Sequence, residues 1–144
     1  MKDKKELTAP CGMDCFNCEI HEKNLTNEVA EALHGKYGWP KEEIACKGCR
    51  KQNSKHIHLP QGGCSTLDCV KAHGVDLCSD CAEFPCSFLA PVADLAAIRP
   101  HNMKTYNLCR IRKIGLESWI QTEAGQTRKR YFTVKFTVGK GQAS

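Results

Sequence analysis

Ten cysteines set in close pairs constrain this chain more than any apolar periodicity does. They are Cys11, Cys15 and Cys18 in the string CGMDCFNC, then Cys46 and Cys49, Cys64 and Cys69, and Cys78 and Cys81, with Cys86 closing CAEFPC. Three of these pairs have the Cys-x2-Cys spacing, whose two intervening residues let the backbone fold round one metal ion and offer it two thiolates. The Cys64/Cys69 gap is wider and runs into a helix-forming stretch. An eleventh cysteine, Cys109, stands apart. Disulfides are the rival use of so many thiols. The count is odd, however, and MKDKKELTAP at the N-terminus has no apolar signal core. Those two features favour a reducing, cytoplasmic setting, in which close-set cysteines bind metal.

The spacing Cys11-x3-Cys15-x2-Cys18 is also that of the cluster-binding loop in radical S-adenosylmethionine enzymes. Such chemistry needs a barrel of alternating strands and helices, about 200 residues or more, and the chain is 144 residues long with no such alternation. A zinc scaffold is therefore the expected reading, with an iron–sulfur cluster as the alternative, since four of the thiols could hold one. In chain order the cysteines suggest one site from Cys15, Cys18, Cys46 and Cys49. A second would use Cys64, Cys69, Cys78 and Cys81. Cys11 and Cys86 are left either as ligands or as small buried apolar residues. His56 and His58 lie on one face of any strand and could chelate, but the thiolates outrank them as ligands. His34 reads as a solvated helix residue.

Around the cysteines the local signals are helical. Asn24 to Tyr37 has Leu25, Val29, Leu33 and Tyr37 at every fourth position and stops at Gly38 and Pro40. Thr66 to His73 is a short helix ended by Gly74, and another helical stretch follows Cys86 before breaking near Pro91. Asn102 is expected to cap a helix to Ile114. Met103, Asn107, Leu108, Ile111 and Ile114 share one side of it and Cys109 points away. Leu116 to Ile120 resumes the helix and carries Trp119. Two stretches read as strands, Lys55 to Leu59 and Tyr131 to Val138, the second because Phe132, Val134, Phe136 and Val138 alternate. The final GKGQAS reads as disordered.

The expected fold is a small metal-organised α-rich domain with a minor β part: zinc-knuckle loops, short helices and one C-terminal strand. Residues 1–98 form the cysteine-rich module, 99–124 its helical C-terminal part, and 125–144 a basic strand and tail. The tail's charge is lopsided, with 10 Lys and Arg against 2 Asp and Glu in residues 99–144, where residues 1–98 carry 11 against 14. A nucleic-acid surface built on Arg110, Arg112, Lys113, Arg128, Lys129 and Arg130 is the weaker reading, because the module itself is acidic. A protein partner, or self-association through Tyr131–Val138, is the stronger one, and no membrane association is expected. No catalytic triad or phosphate loop is visible, so the chain reads as a binding module rather than an enzyme.

With these motifs laid out, the chain resembles an uncharacterised, cysteine-rich bacterial and archaeal family presumed to bind zinc. The resemblance rests on Cys11-Gly12 with Cys15 and Cys18, the run from Cys46 through Gly48 and Cys49 to Arg50, and Cys64 with Cys69. It continues in Cys78 and Cys81 with Glu83-Phe84-Pro85-Cys86, and then in His101-Asn102, Asn107-Leu108, Ile114 to Glu117, and Trp119. The resemblance implies that Cys11 and Cys86 join the ligand set, and it implies no activity. Some relatives continue into a small cysteine ribbon, whereas Arg130 to Phe136 here has no cysteine, so no further module of that kind is expected.

Overall fold

The computed structural model describes residues 1–59, 63–89 and 101–133, with residues 101 and 102 described by their backbone alone. Six α-helices are found among them: α1 (Lys2–Glu6), α2 (Asn27–Tyr37), α3 (Ser65–Ala72), α4 (His101–Ile114), α5 (Leu116–Thr122) and α6 (Ala124–Thr133). Short 3₁₀ turns at Cys15–Asn17, Lys41–Glu43, Cys78–Asp80 and Ser87–Leu89 link them. None of the described helices is long and apolar enough to cross a membrane.

The core gathers round α4. Met103, Asn107, Leu108 and Ile111 are buried and Cys109 is exposed, as the helical wheel predicts. In one cluster with Leu108 and Ile111 of this face are Trp119 and Ile120 of α5, Ala124 of α6, Leu67 and Val70 of α3, and Leu77, Phe84 and Leu89 from the loops. Cys11 and Cys78 are members of the same cluster, with Cys15, Cys49, Cys64, Cys81 and Cys86 packed on its flank. Two thiols are thus part of the core and five more line it. By contrast α2 buries no side chain and leans on the Lys41–Glu43 turn, where Lys41 pairs with Glu31.

Local signals held with small shifts. Helix α2 begins later than expected, because Thr26 rather than Asn24 caps it by accepting the Val29 N–H at 3.3 Å. Asn24 instead donates to the carbonyls of Phe16 and Cys18, each at 2.9 Å, and so closes the CFNC loop. Helix α4 starts at His101, one residue before the expected cap. After Cys86 the described helical structure is the Ser87–Leu89 turn, and the expected break at Pro91 lies outside the described residues.

Neither expected strand is found among the described residues. Tyr131–Thr133 is the end of α6, and Lys55–Leu59 is a turn in which the Leu59 N–H reaches the His56 carbonyl at 2.9 Å. Among the described residues there are no strands, only the isolated bridges Thr8–Asp14 and His21–Cys46. Alternation earns a strand only when a neighbour satisfies its backbone, and Lys55–Leu59 offers none. Helical bonds win in α6 instead. Thr133 Oγ1 donates to the Lys129 carbonyl at 2.8 Å, and the Arg128 guanidinium lies over the Phe132 ring four residues on, 5.5 Å from its centre. The rest of the expected strand, residues 134–138, and the GKGQAS tail lie outside the described residues.

Candidate metal centre

Every cysteine is a free thiol. Two Cys-x2-Cys loops share one shape: Cys15–Asn17 and Cys78–Asp80 are 3₁₀ turns in which the N–H of the second cysteine, Cys18 or Cys81, bonds the carbonyl of the first at 3.1 Å. The Cys46/Cys49 loop is built differently. Gly48 takes φ +91°, and its N–H points at Cys46 Sγ, 3.4 Å away. Such a donor stabilises the thiolate form. An L side chain at Gly48 would strain that backbone, and its Cβ would stand 3.1 Å from Leu7 Cδ2.

The thiols act on one another across the chain. Burial raises the Cys15 thiol well above its ordinary range, and Cys49, Cys11, Cys18 and Cys46 raise it further. Burial pushes Cys49 up to about 11, with Cys11, Cys64 and Cys46 adding to it and Arg50 opposing. Cys11 is also raised by burial, against the pull of Lys104, and Cys64 adds to the rise. Burial takes Cys78 to about 12, reinforced by Cys11, Cys86, Cys69 and Cys81. Cys46 is raised by burial and then by Cys18, while the Gly48 N–H opposes. These effects couple two neighbourhoods, one of Cys11, Cys15, Cys49 and Cys64 and the other of Cys69, Cys78, Cys81 and Cys86, with Cys11 acting on both; among the described residues no three cysteine sulfurs lie within 4.8 Å of one another. Cys18 and Cys46 stand together beside the first. Cys64, expected from chain order beside Cys69, acts on Cys11 and Cys49.

Histidines add two mixed groups. Cys46, His56 and His58 bring their ligand atoms within 4.8 Å of one another, as do His73, Cys81 and Glu83. In the second group both ring nitrogens of His73 are engaged: Nδ1 with the Cys69 carbonyl at 2.8 Å and Nε2 with Glu83 at 3.2 Å. These partners raise its pKa. His73 is therefore suited to carry positive charge beside the Cys69–Cys86 thiols rather than to ligate. His21 is buried, its Nδ1 takes the Lys23 N–H at 3.3 Å, and its Nε2 has no partner among the described residues. Burial lowers its pKa. His34 is exposed and engages the Trp39 carbonyl at 2.7 Å.

A rigid frame holds the first loop. Gly12 sits at φ +84°, so close to α4 that a Cβ would lie 2.8 Å from Leu108 Cγ and 2.9 Å from the Lys104 carbonyl oxygen. Asn107 Nδ2 donates to the Gly12 carbonyl at 2.8 Å. Phe16 meets the edge of buried Trp119, ring centres 6.2 Å apart. Asp14 accepts from Asn17 Nδ2 at 3.0 Å and from Arg128 Nη1 at 2.9 Å. Several basic residues of the C-terminal set are committed to such contacts. Arg110 forks onto Glu123 through Nε at 2.8 Å and Nη2 at 2.5 Å. Arg112 lies over the Phe84 ring and Arg128 is spent on Asp14.

Residues 7–91 match the model of the DUF3795 family, described as a protein of unknown function, and the chain belongs to that family. No curated protein and no solved structure matches the chain.

Proposed function

We propose that this member of the DUF3795 family is a zinc-binding structural and interaction module. Cys11, Cys15, Cys49 and Cys64 would hold one ion and Cys69, Cys78, Cys81 and Cys86 another. One observation carries the reading: thiols from distant parts of the chain converge in the core with their ionisation suppressed by burial and by each other. Without a cation those thiols stay protonated and neutral. A bound divalent ion inverts that logic and holds them deprotonated. Tetrahedral thiolate sets suit zinc, and a site closed by four protein ligands leaves no position for water or substrate, so its contribution is to fold and shape a surface.

Elemental analysis of protein purified without oxygen tests this. About two or more zinc ions per chain are expected. Iron with labile sulfide, in a brown protein, would replace zinc with a cluster. Metal-free protein that is fully folded would end the reading.

A further inference from the structure

The loop at residues 54–59 carries a pair of histidines whose geometry goes beyond an all-thiolate scaffold. We propose that Cys46, His56 and His58, completed by Cys18, form a third zinc site of mixed thiolate and imidazole type. The proposal rests on the zinc-module reading and extends it to ligands outside the cysteine set.

Three observations carry it. First, Cys46 Sγ and a ring nitrogen from each histidine lie within 4.8 Å of one another. Ligand atoms in a tetrahedron with Zn–N bonds near 2.0–2.1 Å and Zn–S near 2.3 Å stand about 3.3–3.8 Å apart, so the three need only small shifts, the two Nδ1 atoms moving apart. Second, the tautomer is right. His56 Nε2 lies 3.1 Å from the carbonyl oxygen of Ile44, a fully buried residue. A carbonyl only accepts, so Nε2 carries the proton and Nδ1 keeps its lone pair. That lone pair takes the backbone N–H of His58 at 3.3 Å and faces His58 Nδ1 directly. Metal-binding histidines show this pattern, one nitrogen donating to a carbonyl while the other faces the ion.

Third, the backbone fixes the thiol side of the site. The Cys46 N–H bonds the Ile20 carbonyl and the Glu22 N–H bonds the Cys46 carbonyl, both at 2.8 Å. Cys46 is thereby pinned against the segment that directly follows Cys18. The Cys18 carbonyl is itself held by Asn24 at 2.9 Å and by the His21 N–H at 3.1 Å. Apart from the exposed Cys109, Cys18 and Cys46 are the thiols outside the four-cysteine neighbourhoods, and the two histidines supply what they lack. Ten cysteines and two histidines then make three four-ligand sets.

The test uses the full chain purified with zinc. About three zinc ions per chain are expected, with X-ray absorption showing imidazole nitrogen at about 2.0–2.1 Å beside sulfur at about 2.3 Å. The H56A/H58A variant should hold one ion fewer and lose the nitrogen shell while keeping the other two. Adding Cys18→Ser to it should remove no further ion. Loss of another equivalent in that triple variant would overturn the role of Cys18. Should the variants fail to fold, diethylpyrocarbonate on the native protein decides. His56 and His58 should resist acylation while exposed His34 reacts; acylation of His58 at the rate of His34 would overturn the site. Unchanged zinc and an all-sulfur shell would also sink this site and leave the thiolate sites standing, whereas folded protein without zinc would remove both readings.

Discussion

Arg128 Nη1 stands 2.9 Å from Asp14 Oδ1, joining residues 114 positions apart in an ion pair whose carboxylate side chain is 1% exposed and whose guanidinium is 15% exposed. Asp14 directly precedes Cys15. The pair therefore ties the last described helix to the loop that presents the first thiols, and Asn17 supports the same carboxylate from within that loop.

Breaking this pair should be costly. Arg128→Ala leaves a buried carboxylate with Asn17 as its remaining side-chain donor among the described residues, and removal of one partner of a buried ion pair destabilises by about 3–5 kcal/mol. The expected result is a lower denaturation midpoint for the zinc-loaded protein. A midpoint within error of the parent would show that Asp14 is satisfied some other way.

Two glycines should respond in opposite directions. Gly12→Ala forces an L residue into φ +84° and drives its Cβ to 2.9 Å from a backbone oxygen that cannot turn aside. Strain and overpacking together should cost about 2–5 kcal/mol. Gly35 lies in α2 with nothing within 4 Å of an added Cβ, so Gly35→Ala should stabilise by about 0.5–1 kcal/mol. Thermal melts of the two variants side by side check both signs.

Removal of metal should abolish the cooperative melting transition. Structural zinc contributes about 10–16 kcal/mol in small peptides, as much as the whole net stability of a domain, about 5–15 kcal/mol. Here Cys11 and Cys78 sit in the core with five more thiols packed against it, so stripped protein has little left to hold the Cys78–Asp80 turn against α4. A strong chelator under reducing conditions, followed by calorimetry, provides the measurement. A sharp transition in demonstrably metal-free protein would contradict it.

The cysteines should divide sharply when replaced one at a time. Cys109 is exposed, on the side of α4 away from Leu108 and Ile111, and Cys109→Ser should keep full metal content and an unchanged melt. Cys78→Ser, at the centre of the second neighbourhood, should lose one zinc and fold poorly. Metal analysis of both variants reads the difference directly.

What the sequence by itself determined is local. The Cys-x2-Cys spacing, the helices ended by Gly38, Gly74 and Gly115, and the buried and exposed sides of α4 all follow from interactions within a few residues. Such contacts are written in spacing, so they can be read without knowing where the chain goes next. The tertiary structure decided the rest. It put Cys64 where its charge acts on Cys11 and Cys49. It set His56 on the Ile44 carbonyl and turned its lone pair toward His58. It also wound Tyr131–Thr133 into a helix whose Arg128 reaches back to Asp14, where alternation alone had read a strand. Each of these outcomes depends on a partner far away in the chain, because the energy of burying a thiol, a carboxylate or an apolar row is set by what lies opposite it in space.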